Sequence, residues 1–440
     1  SDDPMTPKPM QRDLSRLLNP RSIVFVGGHR LVEPLRACGS IGYDGDIWVV
    51  NPTREEIGGV PCFKSLAALP AVPDAAFVGV PAGATAEVVG QLAAMGAGGA
   101  VCYAAGFAER GAAGAALQEA VVSAAGDMPI VGPNCYGILN YLDGAALWAD
   151  VHGAVRCEQG VAIVSQSGNL ALNFTMTDRS LPLARVISVG NQAALEVSDF
   201  IVPLVDDPRI TAIGLYVEGL MDVPAFSRAA AYALAKGVPI VALKVGRSEI
   251  ASQMAMTHTS SLAGEDSLYD ALFQRLGVIR APSLTVFLEC LKLLALTPPL
   301  VGGRLGILTC SGGDAALVAD AVAANGLTIP PLSTAQVAEI QPCMSDFTTI
   351  SNPLDYNTSI WGDHDALSKC FAVVMGGEVD ATVLVVDFVH EHIPSVKDWD
   401  IAVDALIAAA KATGGAVVAI ASIPELLPVT ARGRLADCGV

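Results

Sequence analysis

The sequence predicts an α/β protein made of three doubly wound parallel-sheet domains. Three observations lead there. Short β-branched runs alternate with alanine-rich helical stretches almost from end to end, the strand–helix–strand order of parallel sheets. The strands are apolar throughout rather than alternating, as expected where helices cover both faces of a sheet. The chain has 440 residues, 52% hydrophobic and only 16% charged, which is too long for one core and enough for two to four domains.

In the first domain, 1–150, SIVFVGG (22–28), IWVVNP (47–52), AAFVGVP (75–81) and GGAVCYAAGF (98–107) read as parallel strands. Each ends in or near glycine, proline or asparagine, with helical segments such as ATAEVVGQLAAMG between them. The pattern restarts in a second domain, 151–297, at GVAIVSQSGNLALNF (160–174). It continues through ARVISVGN (184–191), ITAIGLYVEG (210–219) and VPIVALKVGRS (238–248). TPPLVGG (297–303) reads as a linker to a third domain, 303–440, with strands in RLGILTCSGGDAALVADAVAANG (304–326), ATVLVVDFVH (381–390) and GAVVAIASIPE (415–425). The second and third domains open alike: strand, serine-containing glycine turn, helix. The final ARGRLADCGV has the form of a helix approaching a further strand, so the third domain is expected to be incomplete at its C-terminus.

Several function classes are disfavoured. The net charge of −18, with no lysine/arginine cluster, argues against nucleic acid, whose phosphates need neutralising. No apolar run is long enough to span a membrane. The opening SDDPMTPKPM is polar and lacks the apolar centre of a secretory signal. The ten cysteines are scattered without CxxC pairing, which reads as reduced thiols in a cytoplasmic protein without a metal site.

Ligands of doubly wound sheets gather at the carboxyl ends of strands. Small residues there, at the start of a helix, let an anion reach unpaired main-chain N–H groups. Ser165, Gln166, Ser167 and Gly168 form one such turn, and Ser311, Gly312 and Gly313 another. Ordinary N-capping is the alternative for each. Glu218, in YVEGLMD, sits at the end of a buried strand, where a carboxylate needs a partner. It serves either as a salt bridge or helix cap, or as the group that orients an imidazole. The imidazole is offered by His258 in MAMTHTSSLAGED, a stretch of small residues that would fill no core.

At this point a resemblance enters. THTSSLAGEDSLYDALFQRLGVIRAPSL resembles the phosphohistidine segment of the NDP-forming acyl-CoA synthetases, a family that includes ADP-forming acetyl-CoA synthetase and is related to succinyl-CoA synthetase. SQSGNLA, SVGNQAALEVSDFI, YVEG and LKVGRS are similar to that family's motifs in the same order, and VNPTREEIGGVPCFKSLAALP, YAAGFAERG and GPNCYGILN to its CoA-binding domain. TCSGGDAALVADA and SNPLDYN resemble its third domain. The resemblance implies a Rossmann-like CoA-binding domain followed by two flavodoxin-like ligase domains. It implies an acid–CoA ligase that turns a carboxylic acid, CoA and ATP into acyl-CoA, ADP and phosphate through an acyl phosphate and a phosphohistidine. His258 would carry the phosphoryl group and Glu218 would hold its ring. Ser165–Gly168 and Ser311–Gly313 would cradle the phosphoryl group. CoA would lie against Gly27, Gly28, Asn51, Pro52, Pro81, Ala104, Ala105, Gly106 and Asn134, and the acid near Gly190, Asn191 and Gln192. Trp148 and Tyr141 would suit an aryl acid, although core packing is the plainer use of such rings. Cys135 reads as packed rather than reactive.

The first glycine turn, VGGHRLVEPLRACG, is shorter than the family's, leaving His29 and Arg30 as possible electrostatic substitutes. Position 260 is serine where glycine is usual, and Thr53 stands where lysine is common, with Arg54 beside it. ATP, ADP and Mg2+ would belong to an ATP-grasp domain that the sequence does not contain, supplied by a further C-terminal segment or a partner subunit. Oligomeric state, including a homo-oligomer, is left open. Two other readings keep the resemblance and change the outcome: a non-catalytic CoA-sensing module of a larger protein, and a relative that couples acyl-CoA formation to lyase cleavage. From the missing nucleotide site follows an expected outcome: this chain alone, given acid, CoA and ATP, forms no thioester. Sustained acyl-CoA turnover by the isolated chain overturns it.

Overall fold

The computed structural model describes residues 12–248, 266–297, 299–346, 348–356, 360–389, 393 and 397–440. His258, with the rest of 249–265, lies outside the described residues. The chain divides into two compact units, Ser1–Ala295 and Leu296–Val440, each taken by itself here.

The first unit holds two seven-stranded sheets. One is built from β1 (Ser22–Gly27), β2 (Asp46–Val50), β3 (Glu56–Ile57), β4 (Val60–Phe63), β5 (Ala75–Gly79), β6 (Ala100–Cys102) and β7 (Ile130–Val131), in the order β3-β4-β2-β1-β5-β6-β7. Every residue of β1 is buried, because helices cover the sheet on both faces. The chain leaves β1 toward β2 on one side and returns to β5 on the other, both parallel to it. The sheet therefore changes direction between β1 and β5, where doubly wound sheets open a crevice beyond the strand ends. Gly27 is in register with Gly79 across that point. A Cβ on Gly27 would stand 2.7 Å from the carbonyl oxygen of Gly79, so the close approach of the strand ends requires glycine.

The second sheet comprises β8 (Gly137–Asn140), β9 (Ala145–Trp148), β10 (Gly160–Ser165), β11 (Leu183–Ser188), β12 (Ile210–Val217), β13 (Ile240–Lys244) and β14 (Ile279–Arg280), in the order β14-β13-β12-β10-β11-β8-β9. Here the direction changes between β10 and β12, bringing Ser165 and Tyr216 into register. In the second unit, β15 (Leu305–Thr309), β16 (Leu354–Asp355), β17 (Ala381–Val385) and β18 (Val417–Ile420) form a parallel sheet ordered β16-β15-β17-β18. This repeats the order of β11-β10-β12-β13, as the similar openings of the two domains suggested. Its core gathers around Tyr356, Phe371, Val374, Leu384 and Leu406.

The α/β doubly wound class holds, with two differences from the sequence-based expectation. First, the sheets of the first unit are not purely parallel. β8 and β9 form an antiparallel hairpin on the edge of the second sheet, with β8 antiparallel to β11. β3 pairs antiparallel with β4. The β8–β9 turn closes where the Asn140 side chain accepts from the N–H groups of Leu142 and Asp143 and where Gly144 adopts φ +74°. Second, the strand expected over 98–107 stops at Cys102. The N–H groups of Gly106 and Phe107 bond to the Glu109 carboxylate instead of to a neighbouring strand. Among the described residues no helix is long and apolar enough to cross a membrane.

One ionic cluster fastens the N-terminal helix Ser15–Leu18 to the second sheet. Arg185, whose side chain is 2% exposed, donates to the Leu18 carbonyl, to Asn19 Oδ1 and to Asp207 Oδ2 at 3.0, 2.8 and 3.0 Å. Arg209 then bridges Asp207 and Asp143 with four hydrogen bonds of 2.8–3.0 Å. Burial alone would raise the Asp207 carboxyl, but the bonds from Arg209 and the charge of Arg185 outweigh it and hold it down at about 2. A carboxyl whose folded value lies below its unfolded one adds stability above the unfolded value and loses it as pH falls towards the folded one. Arg185→Ala is expected to cost on the order of 3–5 kcal/mol, read as a lower urea midpoint at pH 7. The difference between variant and parent should shrink as pH falls from about 5 to about 2.

Candidate functional site

The carboxyl ends of the first two sheets border one cleft of about 950 Å³. From the first sheet, Gly28, Pro81, Ala104, Ala105 and Asn134 line it, with His29 and Arg30 exposed at the short glycine turn. Four residues expected on this wall do not line the cleft. Gly27 is buried at the strand end. Asn51 is buried and donates from Nδ2 to the Gly27 carbonyl at 2.7 Å, while its Oδ1 accepts from the N–H groups of Thr53 and Arg54. It braces the turn, and Pro52 follows it, exposed. Gly106, at φ +110°, shapes the turn after Ala105. Cys135 is buried and its thiol is pushed well above the usual range by burial, so it offers no thiolate.

The second sheet supplies Gln166, Ser167, Gly168, Gly190, Asn191 and Glu218. Ser165 is fully buried; its hydroxyl donates to the Ser167 carbonyl at 2.7 Å and accepts from the Ser167 N–H at 3.1 Å, closing the turn from below. Ser167 caps helix Gly168–Thr175 by accepting from the Leu170 N–H. A Cβ on Gly168 would collide with the Tyr136 ring, so glycine lets that ring lie over the start of the helix. Glu218, half-buried, follows β12. Its position is dictated by Gln166, whose Oε1 accepts from the N–H groups of Glu218 and Gly219 at 2.5 and 3.1 Å and whose Nε2 donates to the Gly219 carbonyl at 2.7 Å. Tyr269 extends the brace, its hydroxyl accepting from the Leu220 N–H at 3.1 Å. Its ring carries the Lys244 ammonium, which burial pushes below the ordinary lysine range.

The two walls are joined by main chain. The Asn191 N–H donates to the Pro133 carbonyl at 2.9 Å and the Ala193 N–H to the Gly132 carbonyl at 3.0 Å. Gly190 takes φ +53°, and a side chain there would strike the Pro133 and Asn134 carbonyls. Gln192 turns inward and accepts from the Val197 N–H, and it does not line the cleft. Trp148 and Tyr141 are completely buried, the plainer of the two uses considered for them. The rings that do line the cleft are Tyr103 and Tyr136, neither singled out from the sequence.

Glu109 was also missed. Its carboxylate binds the Gly106 and Phe107 N–H groups and Nδ2 of Asn191. Burial raises its carboxyl, but those hydrogen bonds prevail and hold it below the usual carboxylate range. The residue lies inside the quoted YAAGFAERG, but the partner that gives it a purpose is 82 positions away.

The second serine turn belongs to the second unit and is built the same way. Thr309 Oγ1 donates to the Ser311 carbonyl and accepts from its N–H, both at 3.1 Å, as Ser165 does for Ser167. Ser311 caps helix Gly312–Ala324 through the Gly313 and Asp314 N–H groups. The site of the first unit thus combines a helix N-terminus that begins on glycine, a carboxylate whose backbone is braced and a crevice at a sheet's change of direction. That combination suits an anionic group held beside an extended ligand. Among the described residues no cluster of histidine, cysteine, aspartate and glutamate could hold a metal ion.

Comparison with known proteins matches residues 27–141 to a CoA binding domain and 158–294 to a succinyl-CoA ligase like flavodoxin domain. A trans-feruloyl-CoA synthase from an unknown prokaryotic organism is 32% identical over 379 residues, covering 83% of this chain and 54% of that protein. The alpha subunit of an ADP-forming acetate–CoA ligase II from Pyrococcus furiosus is 32% identical over 368 residues, covering 80% of this chain and 77% of that subunit. The chain spans about half the length of the first two curated relatives it matches. Among solved structures, an acetyl-coenzyme A synthetase 1 from Candidatus Korarchaeum cryptofilum, in complex with phosphate and ADP, superposes with a TM-score of 0.84 at 26% identity. It covers 97% of this chain and 92% of its own.

The Gln166 brace has a measurable consequence. Gln166→Leu keeps the bulk but strands two N–H groups and a carbonyl, each unmade bond costing about 1–3 kcal/mol. The expected outcome is a clearly lower unfolding midpoint for the first unit; an unchanged midpoint overturns the role given to this side chain.

Proposed function

Since the chain belongs to the ADP-forming acyl-CoA synthetase family, we propose that it is the CoA-binding and ligase portion of an acid–CoA ligase. The reaction joins a carboxylic acid and CoA at the expense of ATP, giving acyl-CoA, ADP and phosphate. The observation that carries the reading is the single cleft in which Gly28, Pro81, Ala104, Ala105 and Asn134 face Gln166, Ser167, Gly168 and Glu218. A thiol bound along the first wall would meet an acyl phosphate held at the second.

His258 attacks the terminal phosphoryl group of ATP, held with Mg2+ by an ATP-grasp domain or subunit, and releases ADP. The phosphohistidine passes the phosphoryl group to a carboxylate oxygen of the acid and returns to free imidazole. The CoA sulfur attacks the acyl carbon, the acyl–oxygen bond breaks, and phosphate leaves. Dividing the transfer in this way replaces one difficult step with easier ones. The helix N-terminus at Gly168 stabilises the phosphoryl charge, and Glu218 orients the imidazole. Ser311–Gly313 offers the second helix N-terminus at which that charge is received. Gly190 and Asn191 border the acid. The chain is assigned as a CoA-binding domain to residue 150, a ligase domain over 151–297 and a second ligase domain from 303. A reducing, cytoplasmic setting accords with ten cysteines that are all free.

The test is phosphorylation of the chain together with its ATP-grasp partner, using ATP labelled in the terminal phosphate. An alkali-stable, acid-labile label is expected in the parent and is lost in His258→Asn. A label that persists in that variant moves the carrier elsewhere. Acyl-CoA formation across a panel of carboxylic acids then separates a ligase from a non-catalytic CoA sensor, and product analysis separates it from a lyase.

A further inference from the structure

The amides of Asn134 and Asn191 both line the cleft, and each can be reversed by a half-turn that exchanges oxygen for nitrogen. Partners decide which way they sit. Asn191 Nδ2 donates to Glu109 at 2.6 Å and to Gln118 Oε1 at 3.1 Å, and Asn191 Oδ1 accepts from Asn134 Nδ2 at 3.2 Å. Gln118 is itself reversible and decides nothing. Glu109 is not: an ionised carboxylate only accepts. Asn191 must therefore turn its nitrogen to Glu109 and its oxygen to Asn134. Asn134 must in turn present its nitrogen to Asn191, which leaves its Oδ1 as an acceptor on the cleft.

We propose that Glu109 is a positioning residue that sets the polarity of the cleft through Asn191 and Asn134, so that Asn134 receives a hydrogen-bond donor of the ligand. This rests on the acid–CoA ligase reading, which narrows the donor. A carboxylate anion offers acceptors only and a phosphate anion at most a hydroxyl, whereas the pantetheine arm of CoA carries amide N–H groups and a thiol. The polarity thus favours the CoA arm at this wall over phosphate or free acid. The other oxygen of Glu109 folds the turn at Gly106 and Phe107, so one carboxylate governs both the shape and the polarity of that wall.

Calorimetric titration of the chain with CoA tests this without needing turnover. Glu109→Gln keeps the size and the acceptor for Gly106 and Phe107, but it points an NH2 group at Asn191 and reverses both asparagines. CoA binding should weaken about tenfold, the size of one good hydrogen bond, with little change in the unfolding midpoint. Adding Asn191→Asp lets the introduced glutamine donate to the introduced carboxylate, which again accepts from Asn134 Nδ2. The double variant should recover to within about threefold of the parent, a coupling that mere loss of packing would not produce. Equal CoA affinity in parent and Glu109→Gln, or no recovery in the double variant, overturns the assignment. Failure of the parent chain to bind CoA overturns the ligase reading itself, and the assigned donor with it.

Discussion

The cleft depends on one main-chain contact. Gly132 and Pro133, leaving the first sheet, offer carbonyl oxygens to the N–H groups of Ala193 and Asn191, leaving the second. Main chain can approach main chain this closely only where side chains are absent, and Gly190 supplies the space and the positive φ. Without it the two sheets would still fold, but their carboxyl ends would not share a border. The contact is reinforced at the far ends of the strands by the Arg185 cluster, which ties the N-terminal helix to β11 and the turn after β8. The first unit is thus clamped at both edges, and the cleft opens between the clamps.

Within that frame, fixed polar groups do the selecting. On the proposed reading, a chain with a net charge of −18 receives anions, and the cleft would do so with geometry rather than bulk charge. Ser165 and Ser167 make their own hydrogen bonds inside the turn, and the Tyr136 ring lies over the start of the helix at Gly168. Glu218 could repel an anion, but Gln166 grips the peptide that follows it and fixes where that carboxylate starts from. The Arg30 guanidinium sits on the opposite wall. Attraction and repulsion are therefore separated in space rather than averaged.

The parts of this architecture that repeat with a short period were legible in the sequence. Apolar strands closed by glycine announced β1, β5, β10, β12 and β15, and the serine turns announced the helix N-termini that follow two of them. The hairpin of β8 and β9 was not read, although Asp143–Gly144 is a turn signal between two apolar runs. GPNCYGILN reads as one motif at a domain end, and it contains only the first strand of that hairpin. Tyr103, Tyr136 and Glu109 escaped for a different reason. Nothing local distinguishes a cleft-lining tyrosine from a core one, and Glu109 acquires its partner from another sheet. His258 shows the converse: its residue pattern was the plainest in the chain, yet it lies outside the described residues.

The duplication of the serine turn separates scaffold from chemistry. Ser165 with Ser167 and Thr309 with Ser311 make the same pair of hydrogen bonds, so the turn itself is common property of both sheets. What differs is the residue between. In the second sheet it is Gln166, which reaches the neighbouring strand end and positions Glu218. In the third it is Cys310, a shorter side chain whose thiol is pushed up by burial and by the charge of Asp314. The first carboxylate beyond β17, Asp387, is spent on Ser422, accepting from its N–H and its hydroxyl at 2.8 and 2.7 Å. The two turns thus share their internal hydrogen bonds and differ in the side chain between them: Gln166 ties its turn to the neighbouring strand end at Glu218 and Gly219.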